Sequence, residues 1–333
     1  MNLRCGERAG ELTPPRGTFL MPKQEFENLV SDFLFKGSLN NQERLFKKAR
    51  SNNPKEFVFV RATGLTVLET AQKSHQLNLI KPILVGEQEV IEREAKIIDW
   101  SLSKLEIIDT KGEEDAVAAS IARYKAGDVA GFVKGNLHTD IFMGGLVKRD
   151  AGIRVGQRLV HVFVMLPPNG GKPLLISDAA INIQPDIDTR VEAALLMAKM
   201  SRKLGLARPK IAILSATESI LPNIPSSVEA LKIAQLAGEQ DPNADFFGPL
   251  SFDLAISPKA TTEKGMTNPV AGQANALVVP DIVSGNILFK SLVWCAGGVA
   301  AGLVAGGAMP IVLTSRSDPP AARLAAIALA SLD

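Results

Sequence analysis

The chain has 333 residues, 46% of them hydrophobic and 22% charged, with a formal net charge of +2 at pH 7. That length leaves room for two domains, and the composition is that of a globular protein. So small a net charge excludes a strong field for nucleic acid or a membrane surface, and two distant cysteines, Cys5 and Cys295, exclude a disulfide framework or zinc spacing.

Residues 1–23 mix Arg4, Glu7, Arg8, Glu11 and Arg16 with Pro14 and Pro15 and lack an apolar core, so they read as a loose extension rather than a signal peptide. Met21 precedes a helical pattern (Phe26, Leu29, Val30, Phe33, Leu34) and is a candidate natural start. Short apolar runs at 57–60, 82–85, 105–108 and 129–133 are predicted strands, separated by helical patterns such as 115–125 with Gly127 as its stop. A second series follows Arg149. Strands are predicted at 159–166, 173–177 and 210–215. Between the last two lies a helix with Asp188 as N-cap, Val191, Leu195 and Ala198 on one face, and Gly205 at its end. Met197 and Met200 extend that apolar face. Strands alternating with helices predict an α/β chain with a mostly parallel sheet.

Residues 293–314 carry no charge. Gly297, Gly298, Gly302, Gly306, Gly307 and Pro310 interrupt the run, so it is expected to be a buried helix followed by a buried strand at 309–313, not a membrane span. Cys295, among apolar neighbours, is expected to be a buried thiol. His75, His138 and His161 form no metal-type pair. The last strand has no partner built just before it, which suggests a return to the first series. The resulting division is 1–23 as extension, 24–150 with 305–333 as a first α/β domain, and 151–304 as a second. A cleft between two such domains is a favoured ligand site.

Two junctions carry candidate chemistry. In PVAGQANALVVPDIVSGNILFK (269–290), a loop at Val270–Gly272 leads to a strand ended by Pro280 and Asp281. Gly285 and Asn286 then open a helix bearing Lys290. Free N–H groups and the helix dipole favour an anion at such a point, although an ordinary βα connection reads the same way. Residues 314–318 follow the last strand with Ser315, Arg316 and Asp318. Ser315 can donate to an oxyanion, and Arg316 presents a planar fork for phosphate. Asp318 is either a proton acceptor or an N-cap before Pro319 and Pro320.

Together with LLISDAAINIQPDID (174–188), GPLSFDLAISP (248–258), PIVLTSRSD (310–318), KGNLHTD (134–140) and HVFVMLP (161–167), these runs resemble the phosphate acetyltransferase/phosphate butyryltransferase family over roughly residues 25–331. The pattern looks closer to butyryl-type enzymes and to the acyltransferase half of hydratase-fused proteins than to the acetate-pathway type. The resemblance implies two α/β domains of the isocitrate/isopropylmalate dehydrogenase type with an interdomain cleft. It implies a cytoplasmic homodimer or larger homo-oligomer without nucleic-acid or membrane partners. Its implied reaction is reversible: acyl-CoA plus inorganic phosphate gives acyl phosphate plus coenzyme A. Coenzyme A is then a substrate, with no metal or other cofactor at the chemistry, and its thiolate attacks the acyl phosphate directly.

On that basis Ser315 steadies the thiol or the tetrahedral intermediate, Arg316 binds phosphate oxygens and Asp318 is the base. Asp281, Gly285, Asn286, Lys290, Gly272, Lys134, His138 and Thr139 bind phosphate or coenzyme A. Acetate-type relatives carry Arg, Arg and Asp where this chain has Gly144, Trp294 and Ala322, with Lys134, Lys148 or Arg149 as replacement cations for the first. The alternative is a catalytically weak homologue that binds acyl-CoA or acyl phosphate.

Overall fold

The computed structural model describes residues 41–314 and 318–332. Helix α1 (Asn41–Ala49) precedes strand β1 (Glu56–Val60). Alternation follows through α2 (Leu65–Gln76), β2 (Lys81–Gly86), α3 (Gln88–Ile97), β3 (Ile107–Asp109), α4 (Gly112–Lys125), β4 (Val129–Lys134) and α5 (Thr139–Leu146). The chain continues with β5 (Val160–Leu166), β6 (Leu174–Ser177), α6 (Ile187–Lys203), β7 (Lys210–Leu214), α7 (Pro225–Gln240) and β8 (Asp245–Leu250). Two short helices, α8 (Phe252–Ile256) and α9 (Pro258–Glu263), lead to β9 (Ala276–Val278), α10 (Ile282–Trp294), β10 (Val299–Ala305), β11 (Ile311–Val312) and α11 (Pro320–Ala330). The extension and the candidate start at Met21 lie outside the described residues. Among those that are described, no helix is long and apolar enough to cross a membrane.

The two strand series do not form separate sheets. Both strand series hydrogen-bond into one eleven-stranded sheet, in the order β3-β2-β1-β4-β11-β10-β5-β6-β9-β7-β8. β11 pairs parallel with β4 (Ile311 with Phe132), which returns the chain to the first series. β10 then pairs antiparallel with both β11 and β5, and β5 antiparallel with β6. Three reversals leave β6, β9, β7 and β8 running opposite to β1, β4 and β11, so their carboxyl ends face the opposite edge of the sheet.

Alternation along each strand divides the core. Phe57 and Phe59 point into one layer with Leu68 and Ala71 of α2 and with α6, α7 and α11. Val58 and Val60 point to the other face, with Phe142 and Leu146 of α5. Farther along that face, Phe163 and Ile176 pack beneath α10, where Phe163 stacks on Phe289 with centroids 4.0 Å apart.

Four local readings change. The long helix expected after Val293 is the end of α10 followed by strand β10. Gly297, with φ of 69°, and Gly298 break the helix, and a strand covered on both faces is apolar without alternation. Helix α6 is capped by Asp186, which accepts from the Thr189 N–H, rather than by Asp188. Helix α10 opens at Ile282 with Asp281 as N-cap, so Gly285 ends its first turn and Asn286 begins the second. Cys295, just past that helix, is exposed rather than buried.

Candidate active site

Adjacent parallel strands whose helices depart to opposite faces leave a crevice at their carboxyl ends. β1 and β4 meet this condition, since α2 packs on one face and α5 on the other. Gly135 permits the close approach that shapes the crevice floor: a Cβ there would lie 2.2 Å from the Arg61 carbonyl oxygen. A cavity of about 220 Å³ opens at this point, lined by Gly64, Thr66, Lys134, Gly135, Asn136, Thr314 and Arg323. The Lys134 side chain ends β4 inside this wall, and the residue is only 7% exposed. Thr314 is the last described residue before Ser315 and Arg316, which themselves lie outside the described residues. Asp318 is described, and its carbonyl accepts from Arg323 Nε at 3.2 Å. The cap reading of Asp318 does not hold, because Pro319 occupies the N-cap position of α11 and no side chain caps it.

Above the cavity stands a charged network that sequence reasoning missed. Arg61 adopts φ of 55° just beyond β1. Its Nη2 and Nε donate to Glu87, and its Nη1 donates to Glu113 Oε1 at 3.2 Å and to the Asn136 carbonyl at 3.1 Å. Glu113, in the first turn of α4, also accepts from the His138 backbone N–H at 3.0 Å. The His138 ring places Nδ1 3.0 Å from both Glu113 oxygens. Burial opposes ionisation of Glu113, but the His138 N–H, the His138 ring and Arg61 together hold its carboxyl below the ordinary value. The same balance holds for Glu87, where burial is offset by Arg61 and by the Gly112 N–H. The signal within reach was Arg61 itself, a cation directly after a strand. The partners Glu87 and Glu113 lie 26 and 52 residues away and follow from sheet order alone. His138 is the N-cap of α5 and Thr139 its first residue, so both stand at this edge.

The remaining predicted residues are elsewhere. Asp281 accepts from the Ser284 N–H and hydroxyl at 2.9 Å each, fixing the start of α10. Asn286 Nδ2 donates to the Ala179 carbonyl at 3.4 Å. Gly285 is buried against the loop after β6, where a Cβ would lie 2.4 Å from the Asp178 carbonyl oxygen. Asp178 is the hub of that loop. Its carboxylate accepts from the backbone N–H groups of His161, Ala180 and Ile181 and from Asn182 Nδ2. Lys290 is exposed on α10. Because β9 runs opposite to β11, the Asp281–Asn286 turn and Thr314 stand at opposite sheet edges, and one chain does not bring them together. Gly272 precedes β9, at its amino end, where its N–H donates to the Leu254 carbonyl. Gly144 is exposed in a separate depression of about 580 Å³ between α4 and α5 that Lys148 also lines. Ala322 is buried in α11, and Trp294 ends α10 at 81% exposure.

His161 lies beneath α10 with its ring 4.3 Å from that of Phe163. Neither ring nitrogen has a partner among the described residues. Burial pushes its imidazole down to about 4, against the pull of the Asp178 carboxylate. Among the described residues no group of three or more His, Cys, Asp or Glu is arranged to hold a metal ion.

Comparison with known proteins places this geometry. The family described as "Phosphate acetyl/butaryl transferase" matches residues 41–124 and 113–331. The phosphate acetyltransferase of Rickettsia prowazekii (strain Madrid E) is 36% identical over 319 residues, covering 95% of this chain and 89% of that protein. A branched-chain phosphotransacylase from Enterococcus faecalis V583 superposes with a TM-score of 0.71 at 27% identity, covering 83% of this chain and 97% of that one. A phosphotransacetylase from Streptococcus pyogenes gives a TM-score of 0.76 at 23% identity over 87% and 97%. The architecture is therefore that of the phosphotransacetylases, which replaces the expected isocitrate/isopropylmalate dehydrogenase type.

Proposed function

The chain belongs to the phosphate acetyl/butyryl transferase family, and from this premise we propose that the crevice at the carboxyl ends of β1, β4 and β11 is its active site. The protein is an acyltransferase. It moves a short acyl group reversibly between coenzyme A and inorganic phosphate, with coenzyme A as substrate.

The observation that carries the site assignment is the wall of the small cavity. An ammonium (Lys134), the first turn of α2 at Leu65 and Thr66 (the Gly64 N–H itself donates to Glu94 Oε2 at 2.6 Å) and the strand end at Thr314 converge on a space of about 220 Å³, and Ser315 and Arg316 follow Thr314 in the chain. A cation and backbone N–H groups are what a phosphate oxygen requires. In this reading Arg316 and Lys134 bind phosphate, Thr139 adds a hydroxyl and Ser315 steadies the developing oxyanion. Charge stabilisation of that kind is commonly the largest catalytic term. Lys134 supplies a cation to this crevice, while Lys148 lines the separate depression that holds Gly144, where relatives carry an arginine.

A cytoplasmic homodimer belongs to the same proposal. The pairing of two subunits is supported by the apolar stripe Val283, Ile287 and Trp294, which α10 leaves exposed at four- and seven-residue spacing. With Asp281, Gly285, Asn286 and Lys290 at the far sheet edge, their role is to hold the outer phosphates of coenzyme A or to build that helix.

The test is release of coenzyme A thiol from acetyl-, propionyl-, butyryl- and valeryl-CoA with and without phosphate. Phosphate-dependent release is expected, and Arg316→Ala should lower it ~10- to 100-fold, the worth of one charge-assisted bond of ~1.5–3 kcal/mol. No phosphate-dependent release with any of the four would sink the reading. Tight acyl-CoA binding by calorimetry without turnover would instead establish a binding homologue.

A further inference from the structure

Thiol attack on an acyl phosphate needs a group to take the S–H proton. The position at which acetate-type relatives carry an acid is Ala322, buried in α11, and the resemblance offers Asp318 in its stead; the structure points to a different group. We propose that His138 is the proton acceptor for the coenzyme A thiol and that Glu113 is the positioning residue that holds it for this role. The proposal rests on the crevice being the active site and goes beyond it by naming the base.

Geometry supplies the argument. His138 is the N-cap of α5, four residues beyond Lys134, on the strand adjacent and parallel to β11. It therefore stands at the same sheet edge as Thr314. Its Nδ1 lies 3.0 Å from both carboxylate oxygens of Glu113, so the proton on Nδ1 is donated to Glu113 and the lone pair is left on Nε2. No described residue partners Nε2, and the side chain is 67% exposed. Glu113 is itself fixed twice more, by the His138 backbone N–H and by Arg61. A ring whose tautomer is set by a clamped carboxylate and whose other nitrogen is open is the arrangement a general base needs. The charged groups around it are Glu113 on α4, Arg61 with Glu87 behind it, and Asp140 on its own helix.

The step balances. Nε2 takes the thiol proton, the sulfur electron pair forms the C–S bond at the acyl carbonyl, and the C–O bond to phosphate breaks with phosphate keeping its electrons. In reverse, phosphate attacks acyl-CoA and the imidazolium returns the proton to the leaving thiolate. Glu113 stabilises that imidazolium without itself being protonated.

The experiment uses the full chain, turning acyl phosphate and coenzyme A into acyl-CoA. His138→Ala should lower kcat about 100-fold or more with the KM for coenzyme A changed only a few-fold. It should remove the fall of kcat toward low pH and be partly rescued by added imidazole. Glu113→Ala should lower kcat about tenfold and leave imidazole without effect, because the ring is still present. An active wild-type protein whose His138→Ala variant keeps kcat within about twofold overturns the proposal alone. So does a variant changed only in KM, or one that imidazole does not rescue while Asp318→Asn abolishes the low-pH limb. A wild-type protein without phosphate-dependent turnover overturns the parent reading and this one together.

Discussion

The edge that carries Lys134, His138 and Thr314 and the junction that opens α10 both looked like anion sites, yet they treat charge in opposite ways. At the first edge the ionic groups are half-open and paired in a chain: Glu87 to Arg61, Arg61 to Glu113, Glu113 to His138. At the second, Asp281 caps the helix, while Asp178 is buried and saturated by four donors, and Gly285 closes over its backbone. The first arrangement leaves one ring nitrogen of His138, Nε2, open on a side chain 67% exposed, where a substrate can meet it. The second spends its polar groups on its own loop. The contrast teaches that a helix start beside a strand end becomes a site only where the local polar groups are not already consumed.

The sharpest break of that contrast is Asp178→Ala. Removing the carboxylate strands the buried His161 N–H and takes the acceptor from the part-buried Ala180 and Ile181 N–H groups and from one of the two Asn182 amide hydrogens, the Leu159 carbonyl keeping the other; each unmet buried donor costs about 1–3 kcal/mol. Partial relaxation and water entry bring the expected loss to ~3–5 kcal/mol, read as a lower urea midpoint at unchanged slope. A loss under about 1 kcal/mol would mean that the loop is not built on this residue.

Next in size is the pH dependence that His161 confers. Its folded value of about 4 lies below the ordinary 6.5. Between those values the unfolded chain takes up a proton that the folded chain refuses, so this contribution to stability is lost as pH falls from about 6.5 to about 4. The full shift is worth ~3 kcal/mol, of which ~2 kcal/mol is lost between pH 7 and pH 5. His161→Leu should flatten that part of the urea-midpoint profile by the same amount. An unchanged profile would show that the ring is not held neutral.

How much of this was legible in the sequence follows from the range of each interaction. Strands at 57–60, 82–85 and 129–133 were readable because their apolar runs are short and bounded, and they appear as β1, β2 and β4. β10 was not, because Ala300, Gly302 and Val304 face one layer and Ala301 and Leu303 the other, so no period marks it. Asp281 as the cap of α10 was hidden behind the more conspicuous Gly285–Asn286 pair. Lys134, His138 and Thr139 were legible as a run after a strand, and the structure keeps them at one edge. What could not be read was the partner of each: Glu113 meets His138 across 25 residues, through the sheet order that seats α4 beside α5. The opposition of the two edges was equally hidden, since it depends on three antiparallel pairings around β10 and β5.

The smallest expected effect sharpens the contrast most. Glu113→Gln removes one charge from the exposed edge but keeps an amide oxygen that accepts the His138 backbone N–H. Arg61 retains Glu87, to which it donates through Nε and Nη2. Partly open ion pairs of this kind are worth about 0–1 kcal/mol, so the urea midpoint should shift by less than ~1 kcal/mol, several-fold less than for Asp178→Ala. Turnover should respond in the opposite order. The neutral amide no longer stabilises an imidazolium at His138, and kcat should fall while the fold is untouched. A region whose charge serves structure must lose stability when that charge is removed, and a region whose charge serves chemistry must lose rate instead. If Glu113→Gln unfolded the protein as readily as Asp178→Ala, the network at the carboxyl ends of β1 and β4 would be scaffolding, and the difference drawn between the two edges would collapse.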